Sequence, residues 1–205
     1  MGKDSIAAYI QMARHFERVE LLFYYMVPGL EFQEAALAYY EAKLGKKIKR
    51  MPNPSLYRQL DALMFQSPAN VDAVFAADLY VCSYEDVIEA AKHDWKMPED
   101  SYIGIGVRQD DSIVRRISIK RNGAANHPKK QFYPVFDWSL DKVRQEIRQS
   151  GIKLPIDYKI WSRSFDGFDY RFLKPLKDNF PKDYEKIREF FPLIELEIKR
   201  YEKAK

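Results

Sequence analysis

Helix-like spacing of apolar residues alternates with short apolar runs through the first half of the chain. The first segment has the period of an amphipathic helix, which is set by Ile6, Tyr9, Ile10, Ala13 and Phe16. The run "ELLFYYMV" comes next and is continuously apolar. Such a run is typical of a strand buried on both faces of a parallel sheet.

The alternation continues along the chain. The pattern predicts a helix from Phe32 to Leu44, a short strand at "KKIKRMP", and helices over residues 55–65 and 67–95. It then predicts a strand at "YIGIGVR", whose two glycines permit close approach of another backbone. The polar, basic stretch over residues 109–131 is predicted to be a mobile loop.

The remaining sequence is mostly helical in pattern. Ser139 is predicted to begin a helix that Gly151 ends. The tail from Pro181 onward is predicted to be helical, with a break at Pro192.

Alternating strands and helices imply right-handed β-α-β crossovers. The predicted fold is therefore α/β, with a doubly wound, mostly parallel sheet that carries helices on both faces. One domain is expected over residues 1–180, with a helical C-terminal extension over 181–205 packed on it. Ligands of such sheets sit at the carboxyl ends of the strands. Residues 2–5, residues 27–32 and the loop from Arg108 are expected to converge there.

Composition narrows the classes of function. Of 205 residues, 46% are hydrophobic, and the net charge of +4 is compatible with an anionic ligand. One cysteine excludes an internal disulfide and a four-cysteine metal or iron–sulfur site. The three histidines lie far apart and have no metal-ligand spacing. With no signal-peptide pattern and no membrane-spanning run, the expected compartment is the cytoplasm, without a membrane partner.

The first candidate site is the "GKDS" stretch that begins the first helix. A helix N-terminus presents unpaired N–H groups and the positive end of its dipole. A glycine, a lysine and a serine hydroxyl there complete the requirements of a phosphate site. The candidate residues are Gly2, Lys3, Asp4 and Ser5. The alternative is a capped surface helix without a ligand.

The second candidate is "GVRQDDSIVRR", over residues 106–116. Arg108 stands at the end of a predicted strand, where its guanidinium is suited to bidentate contact with a phosphate. Arg115 and Arg116 follow it. The alternative is a solvated basic loop. The stretch "YPVFDW" over residues 133–138 is read as a strand segment with a buried Trp138.

Taken in order, these stretches resemble the phosphoadenosine phosphosulfate (PAPS) reductase family, within the adenine nucleotide α-hydrolase (PP-loop) superfamily. "GKDS" resembles the end of the family's Ser-Gly-Gly-Lys-Asp-Ser loop, with Met1 at a variable position. "PGLEFQEA" resembles the Thr-Gly-x-x-x-x-Glu stretch through Gly29 and Glu34. "GVRQDDSIVRR" resembles Gly-Ile-Arg-x-x-Glu-Ser-x-x-Arg-Arg, with Asp111 replacing the glutamate. The resemblance covers residues 2–190.

The resemblance implies a protein that binds ATP or a related adenine nucleotide. It favours an enzyme that cleaves between the α and β phosphates and activates an acceptor by adenylation. Mg²⁺ would bridge the phosphates, with Asp4 as a candidate ligand, and no catalytic base is assigned. The implied phosphate-binding residues are Gly2, Lys3, Asp4, Ser5, Gly29, Arg108, Arg115 and Arg116.

The sequence also departs from the family. The family's first strand and the leading serine of its loop do not precede Gly2. Either the natural start lies upstream, or the phosphate loop works in a degraded form without that strand and serine. The family's C-terminal Glu-Cys-Gly-Leu-His motif has no counterpart after Cys82, so sulfonate reduction through a thiol is not expected. The cysteine pairs that hold an iron–sulfur cluster in other relatives are absent too.

Two alternatives stay open. The fold can serve as a non-catalytic module that binds a nucleotide, a nucleic acid or a partner protein. Contacts to a nucleic-acid backbone would come from Lys120, Arg121, Lys129 and Lys130. A reductase that receives its cysteine from another chain is the remaining alternative. A homo-oligomer is compatible with the exposed sheet edge that a missing first strand would leave.

Overall fold

The computed structural model describes residues 2–203. Met1, assigned above to a variable position of the phosphate loop, lies outside the described residues, as do the last two residues of the predicted C-terminal extension. The helices are α1 (Lys3–Ala13), α2 (Glu31–Leu44), α3 (Pro54–Asp61), α4 (Val71–Ala77), α5 (Tyr84–Asp94), α6 (Ile113–Asn122), α7 (Leu140–Ser150), α8 (Asp157–Ile160), α9 (Tyr170–Asn179), α10 (Pro181–Phe190) and α11 (Glu195–Lys203). The strands are β1 (Leu21–Tyr25), β2 (Ile48–Pro52), β3 (Ile103–Gly104), β4 (Ala125–Asn126) and β5 (Gln131–Phe132).

The prediction of a doubly wound, mostly parallel sheet is wrong. The strands form a parallel pair, β1 with β2, and a mixed sheet of three two-residue strands in the order β3-β5-β4. All five residues of β1 stay partly exposed, so "ELLFYYMV" is not a strand buried on both faces. Helices, rather than a continuous sheet, account for most of the ordered chain, and none of those in residues 2–203 is long and apolar enough to cross a bilayer.

Contacts between Cα atoms group the chain into two compact units. Unit 1 comprises the residues up to 21 together with 95–155, and unit 2 comprises 22–94 together with the residues from 156 onward. Each unit is therefore built from two separate stretches of sequence. The division into residues 1–180 and 181–205 stays a prediction.

Unit 1 is built around its small mixed sheet. β3 pairs in parallel with β5, and β4 pairs antiparallel with the same strand. Helix α1 packs against α7 and β3. Val135 and Val143 are fully buried here. The buried residues of α1 are Ile6, Ala7, Ala8 and Ile10. Of the five residues that set the predicted helical period, only Ile6 and Ile10 are buried, whereas Phe16 lies beyond the helix and is 51% exposed.

Unit 2 is a helical body with an aromatic core. Its buried core cluster gathers apolar residues from α2, α9, α10 and α11, including Phe32, Leu173 and Ile187. Asp183 of α10 caps α2, since its carboxylate accepts the N–H groups of Glu31 at 2.5 Å and Phe32 at 3.1 Å. That carboxylate satisfies donors that the start of a helix otherwise leaves unpaired.

The predicted mobile loop over residues 109–131 is also wrong. It contains α6, which Ser112 caps by accepting the N–H of Arg115 at 3.2 Å, followed by β4 and β5. The polar and basic composition of this stretch indicates a loop, but Ser112 is a favourable N-cap residue and marks the start of a helix. Other predicted ends are confirmed: Ser139 caps α7, and Gly45 and Gly151 end their helices with left-handed backbone.

Candidate functional site

The candidate site begins with the anchoring of α1 in unit 1. Glu146 of α7 accepts hydrogen bonds from Arg14 at 2.6 Å and lies 2.5 Å from the Lys142 ammonium. Lys142 and Arg14 together hold the pKa of the Glu146 carboxyl below its usual range, although burial of the carboxyl opposes this. The C-terminal end of α1 is thus tied to α7 by a buried carboxylate with two cations.

The other end of α1 touches the chain that leaves β3. A Cβ atom added to Gly106 would lie 2.6 Å from the backbone C and O of Asp4 and 2.7 Å from the N of Ser5. Only a residue without a side chain allows two backbones to approach this closely. The close approach predicted for the glycines of "YIGIGVR" is confirmed at Gly106.

Arg108 joins the same two segments through its side chain. It is only 6% exposed, and its Nε donates to Oδ1 of Asp4 at 3.0 Å. One terminal nitrogen donates to Oδ1 of Asp111 at 2.6 Å, and the other donates to the carbonyl of Trp138 at 3.4 Å. The guanidinium is therefore held between two carboxylates, one on α1 and one in the turn after β3.

Arg115 and Arg116 lie on the first turns of α6 and are more accessible. Arg115 donates to Asp111 at 3.3 Å, and Arg116 donates to Asp110 at 2.9 Å. About half of each arginine side chain is exposed. Exposed ion pairs of this kind exchange partners at little cost in free energy. Both arginines are therefore accessible to an anion.

The start of α1 has no capping side chain of its own. Gly2 is the N-cap residue and makes no side-chain cap, and the N–H of Ile6 bonds to its carbonyl at 3.1 Å. Lys3 donates to Asp4 at 2.6 Å. The side chain of Lys3 is 27% exposed. Backbone N–H groups, a dipole end and a lysine thus lie beside the buried arginine.

Gly29 belongs to unit 2, and its role as a nucleotide-binding residue stays a prediction. Its φ of +68° is a left-handed conformation that favours glycine. Its carbonyl accepts a hydrogen bond from Lys186 at 2.7 Å. The nearby start of α2 already donates to Asp183, so those N–H groups are engaged.

The site carries nearly balanced charge. Its cations are Lys3, Arg108, Arg115 and Arg116, and its carboxylates are those of Asp4, Asp110 and Asp111. Within residues 2–203, no group of three or more His, Cys, Asp or Glu side chains is arranged to hold a metal ion. Phosphate oxygens of a bound nucleotide would have to supply most ligands of a Mg²⁺ ion there, and the carboxylate of Asp4 already accepts from Lys3 and Arg108.

Sequence reasoning missed how the site residues are paired. Asp4 and Arg108 are separated by 104 positions and form an ion pair, which no local pattern announces. The resemblance assigns Asp111 only the place of a glutamate, and no sequence pattern assigns a role to Asp110. The signal available in the sequence was the acidic pair Asp110 and Asp111, two and three residues after Arg108 and just before α6. The chain matches no protein-family model, no curated protein and no solved structure.

Proposed function

We propose that the chain binds an adenine nucleotide, with the phosphates at the start of α1 beside Arg108, Arg115 and Arg116. The observation that carries the proposal is a contact in unit 1 between the first turn of α1 and the segment after β3, which contains Arg108 and leads into Arg115 and Arg116. The first turn of α1 abuts Gly106, and Arg108 reaches into that turn through Asp4. A helix N-terminus flanked by arginines is a common solution for phosphate binding.

The charges define how a phosphate would bind. Arg108 is already neutralised by Asp4 and Asp111, so it acts mainly by fixing the start of α1. Direct contact with phosphate oxygens falls to the backbone N–H groups of the first turn, to Lys3 and to the half-exposed arginines Arg115 and Arg116. Nucleotide binding then requires Arg115 to leave Asp111, an exposed pair that is weak.

The proposed reaction is adenylation, in keeping with the resemblance to PP-loop enzymes. A nucleophilic atom of the acceptor bonds to the α phosphorus of ATP while the bond to the bridging oxygen breaks, and pyrophosphate leaves. Mg²⁺ would offset charge on the departing phosphates. Lys3 and Arg115 would stabilise the same charge, which is the main contribution that fixed cations make to such a step. The acceptor is unassigned, and the cytoplasmic location predicted from the sequence belongs to the same proposal.

The test compares ATP binding by wild type with binding by Arg115→Ala/Arg116→Ala, using isothermal titration calorimetry with Mg²⁺. Loss of two charge-assisted contacts is expected to weaken binding by about 10- to 100-fold. Arg144→Ala/Arg148→Ala on α7 removes two exposed arginines from another part of unit 1 and serves as the matched control. Equal affinity of wild type and both double variants would refute the site.

A second measurement separates an enzyme from a binding module. Wild type is incubated with ATP, Mg²⁺ and cell extract as the source of acceptor, and pyrophosphate is measured. Release that depends on Arg115 and Arg116 supports adenylation. Nucleotide binding without any pyrophosphate release would leave the binding function standing and refute the reaction.

A further inference from the structure

Helix α6 is exposed over nearly its whole surface. Only Ile119 of its ten residues is buried. Ile113, Val114 and Ile117 are 75%, 77% and 60% exposed, although they are apolar. A ten-residue helix is marginal in water without packing partners. Three exposed branched apolar side chains on such a helix indicate a surface that another molecule covers.

The exposed side chains share one face. At 100° per residue, Ile113, Val114 and Ile117 fall within an arc of about 100°, opposite the buried Ile119. Lys120 and Arg121, one turn later, point along the same arc. Both are exposed and have no hydrogen-bond or ion-pair partner within residues 2–203. The face therefore runs from apolar to basic toward the C-terminal end of α6.

The other end of this face is acidic. Asp110 lies in the turn just before α6, and its side chain is 46% exposed. Its carboxylate pairs with Arg116, which is an i, i+4 neighbour of Lys120 on the helix surface. From the N-terminal to the C-terminal end of α6 the order is thus acid, apolar residues and base.

This order is complementary to itself when reversed. If two copies of α6 pack antiparallel with Ile113 opposite Ile117 of the second copy, the apolar residues cover one another. Lys120 lies about 7.5 Å beyond the centre of that pairing, and Asp110 lies on the opposite side of the centre. Each base then faces the acid of the other copy, as a two-fold interface requires.

We infer that α6, with Asp110, is a self-association surface that binds a second copy of this chain antiparallel. The inference rests on the exposed face of α6 and does not require a bound nucleotide, although Asp110 and Arg116 border both surfaces. A nucleic acid would satisfy Lys120 and Arg121 but would leave the three apolar side chains uncovered. An anionic bilayer would cover them and bind the two bases but would supply no cation to Asp110. Only a partner with the same acid–apolar–base order satisfies all three parts.

The contact area of one helix pair is smaller than that of a standard interface, so association is weak and depends on concentration. Sedimentation equilibrium of the full chain, over about a hundredfold range of concentration, is expected to show reversible dimerisation. Ile117→Ser is expected to weaken the dimer at least tenfold. Leu154→Ser, at another exposed apolar position of unit 1, is expected to have no effect.

A charge exchange tests the antiparallel register itself. Lys120→Glu/Arg121→Glu places acid against acid in a homodimer, and Asp110→Lys places base against base. Each variant alone is expected to dimerise at least tenfold more weakly than wild type, and an equimolar mixture of the two is expected to recover a heterodimer. Arg144→Glu/Arg148→Glu on α7 makes the same charge change elsewhere and is expected to dimerise as wild type does.

Three results would overturn the inference. Wild type that stays monomeric at all concentrations would do so, as would a dimer that neither Ile117→Ser nor the charge reversals weaken. Failure of the mixture to recover association, with both variants folded by circular dichroism, would exclude the antiparallel register. Protection of α6 from hydrogen exchange by an oligonucleotide or by anionic vesicles, with no self-association, would assign the face to that other ligand.

Discussion

The contact between the first turn of α1 and the chain after β3 depends on Gly106 having no side chain. Replacing Gly106 by Ala places a methyl group 2.6 Å from the backbone C and O of Asp4. A carbon atom normally stays about 3.5 Å from a non-bonded neighbour. The two segments must therefore separate by close to 1 Å, and the groups in the way are backbone, which cannot rotate aside.

Gly104 offers a matched control two residues earlier. A methyl group there would lie 2.2 Å from Sδ of Met12 and 2.9 Å from its Cε. Those atoms are the end of a flexible side chain, which can adopt another rotamer. Both substitutions reduce the entropy of the unfolded chain equally. We expect Gly106→Ala to lower the free energy of unfolding by about 1 to 3 kcal/mol, and Gly104→Ala to change it by less than about 1 kcal/mol.

The measurement is thermal and urea unfolding followed by circular dichroism and tryptophan fluorescence. For a chain of this size the expected loss corresponds to a decrease in Tm of about 2 to 12 °C for Gly106→Ala. Separation of the segments also stretches the bond from Arg108 to Asp4, now 3.0 Å, so the same variant is expected to bind ATP more weakly. Equal stability of the two alanine variants would refute the close backbone contact.

Two further predictions concern unit 2. The N–H of Ile48 and the guanidinium of Arg50 lower the pKa of the Glu41 carboxyl from 4.5 to about 2. The contribution of this carboxylate to the free energy of unfolding is therefore complete above about pH 4.5 and is lost as the pH falls toward 2. In urea unfolding, Glu41→Gln is expected to reduce the free energy of unfolding by about 1 to 2 kcal/mol at pH 7 and by much less at pH 2. Asp183→Ala removes the cap of α2 and is expected to lower the free energy of unfolding by about 1 to 2 kcal/mol in urea unfolding. An unchanged urea midpoint would show that water replaces the carboxylate at the start of α2.

The sequence predicted individual helices better than their assembly. Residue spacing located α1, α2 and α7, and end signals located Gly45 and Gly151 at the ends of α2 and α7. The ends of α1 were not located, because Gly2 is its N-cap and makes no side-chain hydrogen bond. The prediction of the sheet was wrong because strand length depends on pairing between distant segments. Of the stretch "YIGIGVR", only the two residues of β3 form a strand. The two glycines lower the strand propensity of this stretch, and the backbone at Gly106 packs against the first turn of α1 instead of a neighbouring strand.

The candidate site was predicted only in part, because its ion pairs also join segments that are distant in the sequence. A phosphate-binding composition at "GKDS" and the arginines after β3 are visible in the sequence. That Asp4 and Asp111 neutralise Arg108 depends on a long-range contact and was not foreseen. The polar and basic composition of residues 109–131 predicts a loop, although Ser112 carries the N-cap signal of the helix that follows it.

The split of unit 1 into two stretches sets the order in which it can form on the ribosome. The end of α7 lies 137 residues (150 minus 13) after the end of α1. At a synthesis rate of about 5 to 20 residues per second, roughly 7 to 27 s pass before α1 meets its partner helix. Throughout that time the side chains of Ile6 and Ile10 have no α7 to cover them, so the nascent α1 segment is available to chaperones that hold unfolded chains.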